Sequence, residues 1–186
     1  MTATATATAF SVGHGTLSQA EFVAELATAG VRGLVDIRTA PGSRRHPHFA
    51  RDSMQLWLPA TGIGYRWDNR LGGFRKPAAD SPDVVWRNES FRGYAGHLRE
   101  ADALAALAQL ADEARMQPTA FMCSETLWWR CHRRLVSDAL VLLHGLVVVH
   151  LMPSASVEHT PTAGVRVCDG TLRYDAAGGD KPPEDG

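Results

Sequence analysis

Short apolar runs alternate along this chain with longer stretches in which apolar side chains recur at helical spacing. A strand buried on both faces reads as a continuous apolar run and a covering helix as a stripe, so the pattern predicts a mostly parallel sheet flanked by helices. Strands are expected at Ala9–Gly13, Gly33–Ile37, Gly64–Trp67, Thr119–Cys123 and Leu146–Leu151. Ser18 should cap a first helix, with Glu21 completing a capping box, Phe22, Val23, Leu26 and Ala29 as its apolar stripe, and Gly30 as its stop. A second helix is expected from Arg51 to Ala60, a third from Phe91 to Met116 broken near Gly93 and Gly96, and a fourth from Trp129 or Arg130 to His144. Val165–Cys168 and Thr171–Tyr174 flank Asp169-Gly170, the dipeptide of a tight hairpin. The expected fold class is α/β: a five-stranded, mostly parallel sheet in a Rossmann-like three-layer sandwich, with a small C-terminal hairpin.

Composition sets the frame for this fold. At 186 residues and 45% apolar content the chain suits one substantial core. A single domain is expected over residues 9–174, between a flexible N-terminus at 1–8 and a disordered tail at 175–186. The Thr/Ala-rich start lacks the basic residues and apolar run of a secretory signal, and Val136–Met152 is interrupted by Asp138, His144, Gly145 and His150. A cytoplasmic location without a membrane partner is the resulting expectation. Three cysteines, an odd number, argue against a disulfide scaffold and for reduced thiols or metal ligands.

Net charge is -1, so its distribution carries more information than its sum. Nearly all positive charge is arginine, which suits planar capture of phosphate or carboxylate. Arg38, Arg44, Arg45 and Arg51 form one cluster and Arg130, Arg133 and Arg134 another. Partners expected from this are a phosphate-bearing small molecule or a nucleic acid. Pro41-Gly42-Ser43-Arg44-Arg45 reads as an anion-binding turn or as a solvated loop. Asp68 to Ser90 is long and aperiodic, as functional loops often are.

Ligands of open parallel sheets collect beyond the carboxyl ends of the strands. Here those ends carry His14, Asp36 with Arg38, Trp67 with Asp68, Cys123 with Glu125, and His150. The segment Cys123-Ser-Glu-Thr-Leu-Trp-Trp-Arg-Cys131-His132-Arg133-Arg134 holds the greatest density of reactive side chains. Three readings of it stand open: a catalytic thiolate at Cys131, a metal ion held by Cys123, Cys131 and His132, or an unreactive Cys131 beside an arginine-lined anion site. Asp36, Glu125, His14 and His132 are candidates for proton transfer, and Asp36 and Glu125 equally for holding an arginine. Substrate contacts are expected from Arg38, Ser43, Arg44, Arg45, Arg133, Tyr65 and Trp129. The aromatics Trp57, Trp67, Trp86, Trp128, Trp129, Tyr65 and Phe74 are the pool for a stacking surface, with Trp57 better suited to the core.

Several of these elements recur together in one family. The chain resembles the bacterial family known as domain of unknown function 488, through Ser11-Val-Gly-His14-Gly-Thr, Val35-Asp36-Ile-Arg38 with Pro41-Gly-Ser43-Arg44, Leu71-Gly72-Gly73, and Cys123-Ser-Glu125 with Cys131-His132-Arg133. The resemblance implies the fold region and the position of the site, and no particular reaction. The leading expectation is an enzyme acting on a phosphate-bearing or nucleic-acid-derived substrate through a Cys/His/Arg site. The alternative is a non-catalytic nucleotide or nucleic-acid binding module.

Overall fold

A computed structural model describes residues 6–42 and 44–176. The expected flexible start therefore falls largely outside the described residues, as does Ser43. Of the expected tail, Asp175 and Ala176 are described: Asp175 pairs with Arg166 at 2.6 Å and the Ala176 N–H donates to the Gly164 carbonyl.

Five strands pair in parallel: β1 (Thr8–Gly13), β2 (Gly33–Asp36), β3 (Gly64–Trp67), β4 (Thr119–Cys123) and β5 (Val147–Met152). A sixth, β6 (Ala155–Glu158), turns back antiparallel on β5, giving the order β3-β2-β4-β1-β5-β6. This corrects the expectation of five strands. All four residues of β6 are exposed, so it has no apolar face for a period to reveal, and only pairing with β5 makes it a strand.

Strand side chains alternate between two cores. Leu34, Ala120, Met122 and Leu151 pack with Phe22 and Leu26 of α1 (Gln19–Thr28) and Met54 of α2 (Arg51–Trp57). Val35, Phe121 and Val148 face the other way, onto α3 (Glu89–His97), α4 (Ala101–Met116) and α5 (Arg133–His144). The result is the expected three-layer α/β sandwich. Ser18 and Glu21 form the capping box at α1. Each large apolar side chain buried this way stabilises the fold by roughly 1.5–3 kcal/mol.

Two helix boundaries differ from expectation. The Phe91–Met116 stretch is two helices, separated at Leu98–Glu100 and not at either glycine. Gly93 serves packing: a Cβ there would fall 2.3 Å from the Arg75 carbonyl oxygen, so it lets the 68–90 loop lie against α3. The fourth expected helix starts at Arg133, because Trp128–Arg130 form a separate 3-10 turn. In the C-terminal hairpin, β7 (Val165–Cys168) and β8 (Thr171–Tyr174) join through Asp169 and Gly170, both at positive φ as a two-residue turn requires. Among the described residues no helix is long and apolar enough to cross a membrane.

Candidate functional site

The carboxyl ends of β1, β2 and β4 open into a cavity of about 840 Å3. Its floor is a pair of thiols. Cys123, the last residue of β4, and Cys131, in the bend before α5, bring their Sγ atoms to 3.0 Å. Both are reduced and buried, and both border the cavity. Beneath them lies Arg133, which is fully buried. Its Nε stands 3.2 Å from each sulfur, Nη1 donates to Ser11 Oγ at 3.2 Å, and Nη2 donates to the carbonyls of Glu125 and Thr126. Gly13 allows this approach, since a Cβ there would fall 1.7 Å from the Glu125 carbonyl oxygen.

None of the hydrogen-bond partners of Arg133 is a carboxylate, and a buried guanidinium needs a counter-charge. Among the described residues the two sulfurs are its only hydrogen-bond partners that can ionise, and Glu25, a carboxylate that feels its charge, makes no hydrogen bond to it. Burial would raise the Cys131 thiol, but the Cys123 thiol and the Arg133 charge outweigh it and hold Cys131 well below the ordinary thiol range. The backbone N–H of Arg133 adds a donor at 3.4 Å. Burial and the neighbouring Cys131 sulfur push Cys123 the opposite way, well above that range. These opposed directions favour Cys131 as the acceptor and Cys123 as the S–H donor of the pair.

His132 stands at the N-cap position of α5, one residue before the helix begins, and makes no side-chain capping bond. Its Nε2 lies 3.0 Å from the Ile37 carbonyl, an acceptor, so Nε2 carries the proton and Nδ1 the lone pair. Burial lowers its pKa and keeps it neutral. Nδ1 faces Gly73, where an added Cβ would sit 3.0 Å away.

The opposite wall is built by β2. Asp36 and Cys123 lie on opposite faces of the sheet, for Asp36 is in register with Met122, one residue before Cys123. Asp36 is wholly buried, does not border the cavity, and accepts from Arg38 at 2.6 and 2.8 Å and from the Tyr65 hydroxyl at 2.6 Å. It therefore holds an arginine, the second of the two roles open to it. Burial and the Asp36 carboxylate raise the Tyr65 phenol, which stays a donor. Arg38 borders the cavity and lies with Nη1 3.3 Å from His14 Nε2. His14 stacks on Phe49 at 4.3 Å, and Nδ1 is 3.0 Å from the Gly15 carbonyl. Burial and Arg38 lower its pKa to about 4, so above that pH it is a neutral acceptor for Arg38.

The rim carries exposed charge: Arg44, Arg45 and Arg130 stand there, and so does Glu125. The 68–90 loop contributes Gly73, Phe74 and Asn88, and α3 contributes Phe91 and Tyr94. Phe74 is 91% exposed and has φ of 61°. For a non-glycine residue that conformation is strained and is often tied to a site.

Of the expected site residues, Cys131, Glu125, His14, His132, Arg38, Arg44 and Arg45 meet at this cavity. Asp36, Tyr65, Arg133 and Trp129 do not border it. Arg133 lies under the thiols, where a substrate cannot reach its donors. Trp128 is buried by stacking on His150 at 3.9 Å, and Trp129 packs edge-on against Trp128. Among the proposed stacking aromatics, Phe74 alone borders the cavity. The expected metal site of Cys123, Cys131 and His132 is not formed. Arg133 already donates to both sulfurs, His132 Nε2 is turned to Ile37, and no three metal-ligating side chains converge among the described residues. Sequence reasoning missed Tyr94, Phe91 and Asn88. Gly72-Gly73 was the available signal for Phe74.

A buried polar chain also passed unnoticed. Asp138 Oδ1 accepts from His159 Nε2 at 2.9 Å, His159 Nδ1 from His150 Nε2 at 2.9 Å, and Asp138 Oδ2 from the Tyr174 hydroxyl at 3.0 Å. His150 Nδ1, at the chain's end, is buried without a partner.

No curated protein and no solved structure matches this chain. The family profile described as Domain of unknown function DUF488 matches residues 18–140. That stretch runs from the cap of α1 into α5 and takes in Arg38, Cys123, Cys131, His132 and Arg133, so the thiol pair and its guanidinium lie within the family's own segment, and the chain belongs to the DUF488 family.

Proposed function

We propose that this protein is an enzyme of covalent thiol catalysis, in which the Cys131 thiolate attacks an electrophilic centre of a phosphate-bearing or nucleic-acid-derived substrate. The observation that carries the reading is the buried Arg133, in contact with two sulfurs and no carboxylate, at the floor of a cavity with cations on its rim. Arg44, Arg45 and Arg130 hold the anionic group, together with the exposed edge of Arg38. Cys131 Sγ forms the bond to the electrophilic atom, and the leaving group departs with the electron pair. The leaving group takes its proton from solvent, and His132 Nδ1, which carries a lone pair, accepts the proton of the water that frees the enzyme. The volume, about 840 Å3, suits a ligand of nucleotide size.

Alkylation of Cys131 across pH, in a Cys168→Ala background, tests the nucleophile. The rate should already be on its plateau at pH 7, and a profile centred near the free value of about 8.5 overturns the reading. The anion site is tested by comparing a dianionic with a neutral aromatic disulfide as thiol reagent. Replacing Arg44, Arg45 and Arg130 with Ala should cut the preference for the anionic reagent about tenfold.

The exposed Phe74 beside these arginines favours a second reading, a nucleotide or nucleic-acid binding module in which Phe74 stacks on a base. Single-stranded oligonucleotide binding that falls steeply with salt supports it, and no binding at low salt removes it.

A further inference from the structure

Nucleophilic catalysis needs one sulfur, and this site has two. A disulfide closes at about 2.05 Å. From 3.0 Å the two Sγ atoms need about 1 Å of approach to reach it. Both cysteines border the cavity, and Cys131 is the more exposed of the two, at 7% against 2% for Cys123. Arg133 Nε is 3.2 Å from both sulfurs, so negative charge passing from one to the other stays beside the same cation. Cys168 belongs to the hairpin and does not border the cavity.

We propose that Cys131 and Cys123 form a two-thiol couple that reduces hydroperoxides, Cys131 attacking the peroxide and Cys123 resolving the product as an internal disulfide. The proposal rests on the reading of Cys131 as a thiolate. In the first step Cys131 Sγ attacks the terminal peroxide oxygen. The S–O bond forms, the O–O bond breaks, and the alkoxide leaves with the electron pair and takes a proton from solvent, so that Cys131 becomes a sulfenic acid. In the second, Cys123 Sγ attacks the Cys131 sulfur, the S–S bond forms, and hydroxide leaves with the Cys123 proton as water. One hydroperoxide is reduced to an alcohol and water while two thiols are oxidised to a disulfide. An external dithiol returns the pair to its starting state.

The test treats the fully reduced wild-type protein with one equivalent of hydrogen peroxide at pH 7, followed by intact mass and thiol counting. The expected product has lost two hydrogens and gained no oxygen. Of its three thiols only Cys168 remains, and the dithiol restores the rest. Cys131 should react about 30-fold faster than the thiol of an unstructured model peptide, the ratio of a full thiolate to the few per cent ionised at a free value of about 8.5. In Cys123→Ser, Cys131 should persist as a sulfenic acid trapped by a cyclic dione. Wild-type protein that gains oxygen at Cys131, or keeps three thiols, overturns the couple. If Cys131 still alkylates fully at pH 7, the thiolate reading survives that failure. If it alkylates as a free thiol, both fall.

Discussion

Arg133 donates through Nε to Cys131 Sγ at 3.2 Å, in an interior where none of its hydrogen-bond partners is a carboxylate. On the proposed reading of Cys131 as a thiolate, the sulfur and the guanidinium depend on each other. Cys131→Ser removes the anion and strands the cation, which should cost about 3 kcal/mol of stability at pH 8. Cys168→Ser, in the half-exposed hairpin, should cost no more than about 0.5 kcal/mol. Urea unfolding of the two variants makes the comparison, and equal stabilities would show that Cys131 is not the counter-ion.

The pH dependence of that penalty has a definite sign. Cys131 is held below the ordinary thiol value, so its contribution is complete above about 8.5 and is lost as pH falls from there toward the native value. The difference between wild type and Cys131→Ser should therefore shrink from pH 9 toward pH 6. A difference that grows on acidification would contradict it.

Charge alone does not replace the guanidinium fork. Arg133→Lys keeps one positive charge but cannot reach two sulfurs, Ser11 and two carbonyls at once. The Cys131 alkylation profile should move up by about one pH unit, slowing labelling about tenfold on the acid limb. An unmoved profile would assign the thiolate to other groups.

Gly13 is the narrowest point in the support of the site. Gly13→Ala sets a methyl 1.7 Å from the carbonyl of Glu125, which accepts from Arg133. The loop must shift, at about 1–3 kcal/mol, and Cys131 labelling at pH 7 should slow in step. Gly30→Ala, with no atom within 4 Å but a φ of 69°, costs stability without touching the thiol and serves as the control.

The Asp138–His159–His150 chain predicts a feature of acid unfolding. Protonating His150 would place an N–H at the partnerless, buried Nδ1, and burial lowers its pKa from 6.5 to about 2. A histidine kept neutral in the native state stabilises it fully above 6.5, and that stability drains as pH falls toward 2. His150→Phe keeps a ring against Trp128 and removes the titration. The slope of stability against pH between 6 and 4 should flatten by about 1.4 kcal/mol per unit. An unchanged slope would show that His150 is charged in the folded protein.

Local rules carried much of this molecule. The capping box at Ser18, the parallel strands, the Asp169-Gly170 hairpin and the crowding of reactive side chains at strand ends all follow from nearest-neighbour geometry and a period of two or 3.6. Cys123 and Cys131 were legible as a pair of interest, and so was the loop that delivers Phe74.

The amino-acid sequence by itself determined the α/β layering and which segment holds the thiols, because burial patterns and turn chemistry are written in neighbouring residues. Tertiary structure alone decided what each side chain touches. Arg133 reads in sequence as a substrate ligand, yet packing places it beneath two sulfurs and against Ser11, 122 residues away. Asp36 reads equally as an acid or base and as the holder of an arginine, and only packing, which turns it to the side of the sheet opposite Cys123 and gives its oxygens to Arg38 and Tyr65, separates the two. β6 and the chain from Asp138 through His159 to His150 depend on pairing across space, which leaves no periodic trace in the sequence.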